Sequence, residues 1–68
     1  MLRKELVTIY YHYLPYKKIT IYMKKSFMKL YEDYHDQGGN SFIDDIHAQV
    51  IKWDVVDTEE EAVREVKN

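Results

Sequence analysis

The hydrophobic and polar positions of this chain repeat most regularly over residues 24–37. Large apolar side chains recur there with the spacing i, i+3, i+4 and i+7, at Phe27, Leu30, Tyr31 and Tyr34. That spacing gives a helix one apolar face. Two glycines follow, and glycine is the usual residue just past a helix end because it adopts a left-handed conformation without steric cost. The pattern predicts an amphipathic helix over 24–37.

Two segments before that helix have the composition of strands. Residues 5–13 and 17–23 are rich in β-branched and aromatic side chains, which suit a pleated surface. In the second segment Ile19, Ile21 and Met23 occupy alternate positions, as in a half-buried strand. Pro15 lies between the segments, in a connection where its missing N–H does no harm. We expect an antiparallel hairpin over 5–13 and 17–23.

The same stretch also has a helical interpretation. Residues spaced four and three apart form a heptad-like seam: Leu2, Leu6, Ile9, Tyr13, Tyr16, Thr20, Met23, Phe27, Leu30 and Tyr34. Two helices broken at Pro15 would follow this seam, and the alternative fold is an all-α bundle. The hairpin is favoured because branched and aromatic side chains lose rotamer freedom in a helix. The weak seam position Thr20 also counts against the helices.

The second half of the chain predicts three more elements. Asn40 or Ser41 could cap a short helix, whose apolar face would carry Phe42, Ile43, Ile46 and Val50. Alternation of Ile51, Trp53 and Val55 with polar residues predicts a strand over about 48–56. Thr58 and Glu61 have the spacing of a capping box, so a short C-terminal helix is expected over about 58–67. The expected fold is one α+β domain over 1–68, with a small antiparallel sheet packed on helix 24–37.

Composition limits the class of protein. The chain has 68 residues, is 46% hydrophobic and contains no cysteine, which excludes a disulfide framework and a thiolate nucleophile. Its longest uncharged stretch, residues 6–16, has 11 residues, whereas a membrane-spanning helix needs about 20. The first residues lack the pattern of a signal peptide. We expect a cytoplasmic protein with no membrane partner.

No catalytic or metal-binding motif stands out. The acidic pairs are adjacent in sequence, so their side chains point in different directions on a helix or strand. His35 and His47 lie near aspartates, but HExxH, CxxC and Ca²⁺-loop spacings are missing. Neither serine has the glycine-flanked setting of a nucleophile elbow. We therefore expect no catalytic residues, no metal site, no cofactor and no enzymatic activity.

Charge is distributed unevenly. Residues 1–29 hold seven bases and one acid, whereas residues 30–68 hold three bases and eleven acids. Five lysines are interleaved with aromatic residues in the first half: Lys17, Lys18, Lys24, Lys25 and Lys29. Lysines neutralise phosphates and aromatic rings stack on unpaired bases. This cluster is a candidate nucleic-acid-binding surface.

Tyrosine gives a second candidate surface. Five tyrosines fall in or beside the predicted hairpin: Tyr10, Tyr11, Tyr13, Tyr16 and Tyr22. A strand alternates its faces, so they cannot all enter one core, and tyrosine is enriched at protein interfaces. The favoured function is a small binding protein, a regulator or inhibitor that docks on a partner protein or on itself as a homodimer. A nucleic-acid-binding module that uses the lysine cluster is the alternative.

Overall fold

The computed structural model describes residues 2–36 and 41–64. Over these ranges the chain forms four helices and two short strands, in the order α1 (Leu2–Tyr13), β1 (Lys18–Thr20), α2 (Ile21–Asp36), α3 (Ser41–Val50), β2 (Asp54–Val56) and α4 (Glu59–Ala62). The strands pair in parallel. The fold is mostly helical with a small parallel sheet, which is compatible with the α+β class.

The predicted antiparallel hairpin over 5–13 and 17–23 is wrong. Its first segment lies in α1, which buries one face at spacings of three and four, through Leu6, Ile9, Tyr10 and Tyr13. Thr8 Oγ1 donates to the Lys4 carbonyl at 2.8 Å, so this β-branched residue meets its hydrogen-bonding need within the helix. Burial of the apolar face outweighs the poor helix propensity. The helical interpretation was the better one for α1, although the paired strands rule out a purely α-helical bundle.

The chain changes direction between α1 and β1 at Lys17. Its φ of 53° lies in the left-handed region, which is uncommon for a residue with a side chain. Its N–H donates to the Tyr13 carbonyl at 2.9 Å and closes the end of α1. The chain then reverses into β1, whose last residue caps the next helix, because Thr20 Oγ1 accepts from Met23 N–H at 3.1 Å. The second half of the expected hairpin is therefore one short strand that leads directly into α2.

The two strands are parallel because α2 and α3 lie between them in the sequence, and a parallel pair needs such a crossover. Ile19 lies opposite Val55. The predicted strand over 48–56 is observed only at its end, since α3 continues to Val50. Helix geometry is retained there because it places Val50 fully inside the core, while Trp53 stacks on Tyr10 at 5.6 Å between ring centroids.

The remaining helix predictions are confirmed in position, but the C-terminal helix is shorter than the predicted range of about 58–67. It ends at Ala62, because the backbone leaves helical geometry at Val63. The helix predicted over 24–37 is α2, which begins earlier, at Ile21; the helix expected after the glycine pair is α3. Thr58 caps α4 as expected, its Oγ1 accepting from Glu61 N–H at 3.2 Å. Residues 37–40, with the predicted glycine helix end, and 65–68 lie outside the described residues.

The core lies between the helices and the small sheet, where Ile19 and Thr20 are buried on opposite faces of β1. The largest fully buried side chains of the core come from four elements and comprise Leu6, Ile19, Phe27, Ile43, Ile46 and Val50. Ala62 of α4 is also inaccessible. No helix in the described part of the chain combines the length and the apolar character needed to cross a membrane.

Candidate functional site

An open groove runs between the start of α2 and β2. Its floor is apolar and is made by Ile21 and Met28 of α2 and Val55 of β2. Ile21 and Val55 remain 43% and 44% exposed, although both are large aliphatic residues. The groove has a volume of about 540 Å³ and its flanks carry Lys24, Lys25, Lys29 and Glu32. We call these seven residues the lysine groove.

The lysine groove is positively charged, and its lysines form no ion pair with any residue that the structure describes. Lys25 and Lys29 are exposed and Lys24 is half-buried. The ion pairs found among the described residues lie elsewhere, between His12 and Glu59 and between Arg64 and Glu60. Three cations therefore face one acid around an exposed apolar floor. Such a surface is complementary to an acidic group that also carries apolar side chains.

The structure gathers only part of the predicted lysine cluster. Lys24, Lys25 and Lys29 share the groove, because α2 repeats every 3.6 residues. Lys17 lies in a different depression with Trp53, and Lys18 Nζ donates to the Arg64 carbonyl at 3.5 Å. The five lysines thus do not form one surface.

The predicted tyrosine surface is also divided. Tyr10 and Tyr13 belong to the core, at 8% and 2% exposure, while Tyr16 is half-buried. The Tyr10 hydroxyl donates to Gln49 Oε1 at 2.9 Å. Only Tyr11 and Tyr22 are exposed, at 57% and 76%. These two rings remain available to a partner, because neither is needed to close the core.

A second concavity lies where α1, α2 and α4 meet. It has a volume of about 530 Å³ and is lined by Thr8, Ile9, His12, Tyr13, Thr20, Tyr22, Met23, Asp57 and Glu59. We call it the His12–Glu59 cavity. The two oxygens of Glu59 accept from different residues, Oε1 from the Tyr13 hydroxyl and Oε2 from His12 Nε2 at 2.6 Å. Glu59 therefore ties the start of α4 to the end of α1.

These contacts shift the pKa of two groups. Burial of the ring, followed by the hydrogen bond to Glu59, raises the pKa of Tyr13 to about 12. The hydrogen bonds from Tyr13 and then from His12 hold the pKa of Glu59 below its ordinary value. A neutral phenol and an ionised carboxylate are the favoured forms. Since both carboxylate oxygens are engaged by internal donors, this arrangement is suited to fixing α4 in place.

A third cluster surrounds His47 of α3. Its imidazole stacks on Tyr31 with 3.9 Å between ring centroids, and Phe27 lies parallel on the same ring at 6.5 Å. The Tyr31 hydroxyl donates to Asp44 Oδ1 at 2.7 Å. His47 Nε2 is buried and has no hydrogen-bond partner within residues 2–36 and 41–64. Burial lowers the pKa of His47. Within the described residues, no three histidine or acidic side chains are placed to hold a metal ion.

Sequence reasoning missed the apolar half of the lysine groove. The alternation of Ile19, Ile21 and Met23 predicts a half-buried strand at Ile21, yet Ile21 lies on α2. There it shares a stripe with Lys25, Met28 and Glu32, at spacings of four, three and four; Met28 is half-buried and the others are exposed. That stripe is visible in the sequence once the helix is extended to residue 21. The link between Tyr13 and Glu59 has no such signal, because 46 residues separate them.

Comparison with protein-family models, with curated proteins and with solved structures finds no match for this chain.

Proposed function

We propose that this chain is a small non-enzymatic binding protein, a regulator or inhibitor that docks on a partner protein through the lysine groove. The observation that carries the proposal is an apolar floor in which Ile21 and Val55 are exposed and Met28 is half-buried. Three lysines flank it, and none of them has an ion pair among the described residues. Exposed apolar surface with a charged rim is typical of an interaction site. The lack of cysteine fits a cytoplasmic setting for this interaction.

The proposed partner segment combines apolar side chains with aspartate or glutamate. Burial of the groove floor would supply most of the affinity, at about 25 cal/mol per Å² of apolar surface. The lysines would orient the segment and raise its association rate. They would add little to the affinity, since exposed ion pairs are individually worth only about 0–1 kcal/mol. Lysine stems can also cover apolar surface while the ammonium groups stay in water. Acidic residues around an apolar centre are therefore the expected binding motif.

Nucleic-acid binding is a second candidate, and one observation favours it. Tyr22, Lys25 and Lys29 lie three and four residues apart on α2, so they share one exposed stripe. A ring that is 76% exposed beside two lysines is suited to stacking on an unpaired base. Lys17 and Lys18 lie apart from the groove, so the basic surface around it is narrow. A narrow basic surface supports protein binding more strongly than nucleic-acid binding.

Two synthetic acidic peptides test the proposal. The extended probe is Thr-Glu-Thr-Val-Thr-Val-Thr-Glu-Thr, which places glutamate and valine on one face of a strand. The helical probe carries leucine and glutamate on one face of an alanine-rich helix. At least one probe should bind in calorimetry, and its lysine-for-glutamate counterpart should not. A fluorescent single-stranded oligonucleotide, measured over a range of salt concentrations, tests the second candidate.

Matched variants locate the binding surface. Ile21→Ser and Lys25→Gln should weaken peptide binding. Ile51→Ser and Lys52→Gln should leave it unchanged, because Ile51 is 44% exposed but lies outside the groove, as does Lys52. Failure of both probes to bind, or equal losses in groove and control variants, would contradict the proposal. Salt-sensitive oligonucleotide binding without peptide binding would favour the second candidate.

A further inference from the structure

The backbone of β2 has one free edge, at Val55. The Asp54 N–H donates to the Lys17 carbonyl at 3.3 Å. Along a parallel pair, successive residues face the partner strand and turn away from it in alternation. Given the observed register, the backbone N–H and C=O groups of Asp54 and Val56 point toward β1. The backbone N–H and C=O of Val55 point to the opposite side. No third strand occupies that side within the described residues.

This free edge borders the lysine groove. The Val55 side chain forms the floor of the groove together with Ile21 and Met28. It lies on the same face of the sheet as Ile19, its partner across the ladder. A strand added next to β2 would therefore cross the exposed part of α2. Its backbone would meet Val55 and every second side chain would reach the groove.

We propose that the partner segment enters the lysine groove in an extended conformation and pairs with Val55 as a third strand of the sheet. The side chains that face α2 would be apolar at the centre, against Ile21 and Met28, and acidic on either side, against Lys25 and Lys29. Backbone hydrogen bonds would give affinity and the alternate side chains specificity. This inference rests on the proposed protein-binding function and specifies the chemistry and conformation of the partner.

Charge favours a foreign segment over a second copy of this chain. Antiparallel pairing of two β2 edges would use a twofold axis normal to the sheet. Such an axis keeps both copies of α2 on the same face and brings their lysine grooves together. Two sets of Lys24, Lys25 and Lys29 would then oppose only two copies of Glu32. Like charges brought together disfavour that assembly, whereas an acidic segment would neutralise each groove separately.

A backbone-specific perturbation of the extended probe tests this inference. The probe should bind more tightly than the helical probe. N-methylation of the amide that faces Val55 C=O should weaken binding at least about tenfold, because it removes one donor and adds a methyl group at the edge. The amide one residue away in the probe faces solvent, so its N-methylation should have little effect on binding. A scan of single N-methyl groups along the probe identifies the two classes.

Two substitutions make the same test on the protein. Val55→Pro should weaken the extended probe by a similar factor, since it removes the outward N–H and leaves the ladder to β1 intact. Val55→Thr is the matched control, because it keeps the N–H and a branched side chain. Circular dichroism and thermal melting report whether Val55→Pro folds. The N-methyl scan uses the unmodified protein, so it remains decisive if this variant does not fold.

Hydrogen exchange gives a direct reading of the proposed contact. The Val55 amide should exchange faster than the Val56 amide in the free protein, and it should slow at least about tenfold when the extended probe is bound. Tighter binding of the helical probe, or an N-methyl scan without effect, would overturn strand addition while the proposed function stands. Failure of both probes would overturn both. Concentration-dependent dimerisation that Val55→Pro abolishes, without competition by the probe, would overturn the choice of a foreign segment.

Discussion

Replacing Phe27 with alanine should remove a large part of the stability of this domain. Phe27 is fully buried on α2 and belongs to the central cluster that also contains Leu6 and Ile43. Its ring lies parallel to the imidazole of His47. Alanine would leave a cavity between α2 and α3.

The expected magnitude follows from burial and size. Truncation of a buried phenylalanine to alanine costs about 3–5 kcal/mol. A domain of this length has a total stability of about 3–10 kcal/mol, at about 0.05–0.15 kcal/mol per residue. Phe27→Ala should therefore be marginally folded or unfolded at 25 °C. Phe27→Leu should cost about 1–1.5 kcal/mol, which corresponds to a fall in Tm of about 4–12 °C for a domain of this size.

Urea denaturation followed by circular dichroism measures these free energies of unfolding. Phe42→Ala is the matched control, because Phe42 is 41% exposed. Its ring centroid lies 5.6 Å from Arg3 Cζ, in a cation–π contact. An exposed cation–π contact is worth about 0.5–1 kcal/mol, so this variant should lose little more. An unchanged m-value would show that the unfolding reaction is the same. Equal losses in Phe27→Ala and Phe42→Ala would refute the proposed core.

Two further predictions concern acid. The folded-state pKa of Glu59 is below its ordinary value of 4.5, so its contribution to stability is present above pH 4.5 and is lost as the pH falls through the folded-state pKa. Glu59→Gln should make that loss shallower in acid titrations of stability, and an equally steep loss in this variant would contradict the prediction. Burial lowers the pKa of His47 from 6.5, so the folded state favours the neutral imidazole. Stability should therefore fall as the pH drops below 6.5. A wild-type urea midpoint that does not change between pH 7.5 and 5, or that changes equally in His47→Phe, would contradict this prediction.

The sequence pattern predicts the helices more reliably than the sheet. The stripe that begins at Phe27 identifies α2, and the Thr58–Glu61 pair identifies the start of α4, because these signals are local. Residues 5–13 were predicted as a strand because their valine, isoleucine and tyrosine residues have high strand propensity. The apolar residues among them nevertheless recur at Leu6, Ile9 and Tyr13. In α1 the burial of that face decides the conformation.

The strand pairing and the candidate sites depend on contacts that are distant in the sequence. Ile19 pairs with Val55 only after α2 and α3 have returned the chain to the same side of the domain, and nothing local specifies a parallel order. The lysines of α2 were predictable as a group, since they share a helix. Their apolar floor was not, because Val55 reaches it from β2.

The central claim is that the lysine groove is the docking surface of this protein. It is tested most directly by recording amide ¹H–¹⁵N spectra of the labelled protein during titration with the extended and helical probes. The largest chemical-shift changes should fall on Ile21, Lys25, Met28 and Val55, and Ile21→Ser should reduce the changes at the other three residues at the same probe concentration. Changes centred on the His12–Glu59 cavity, or spectra that do not change with either probe, would contradict it.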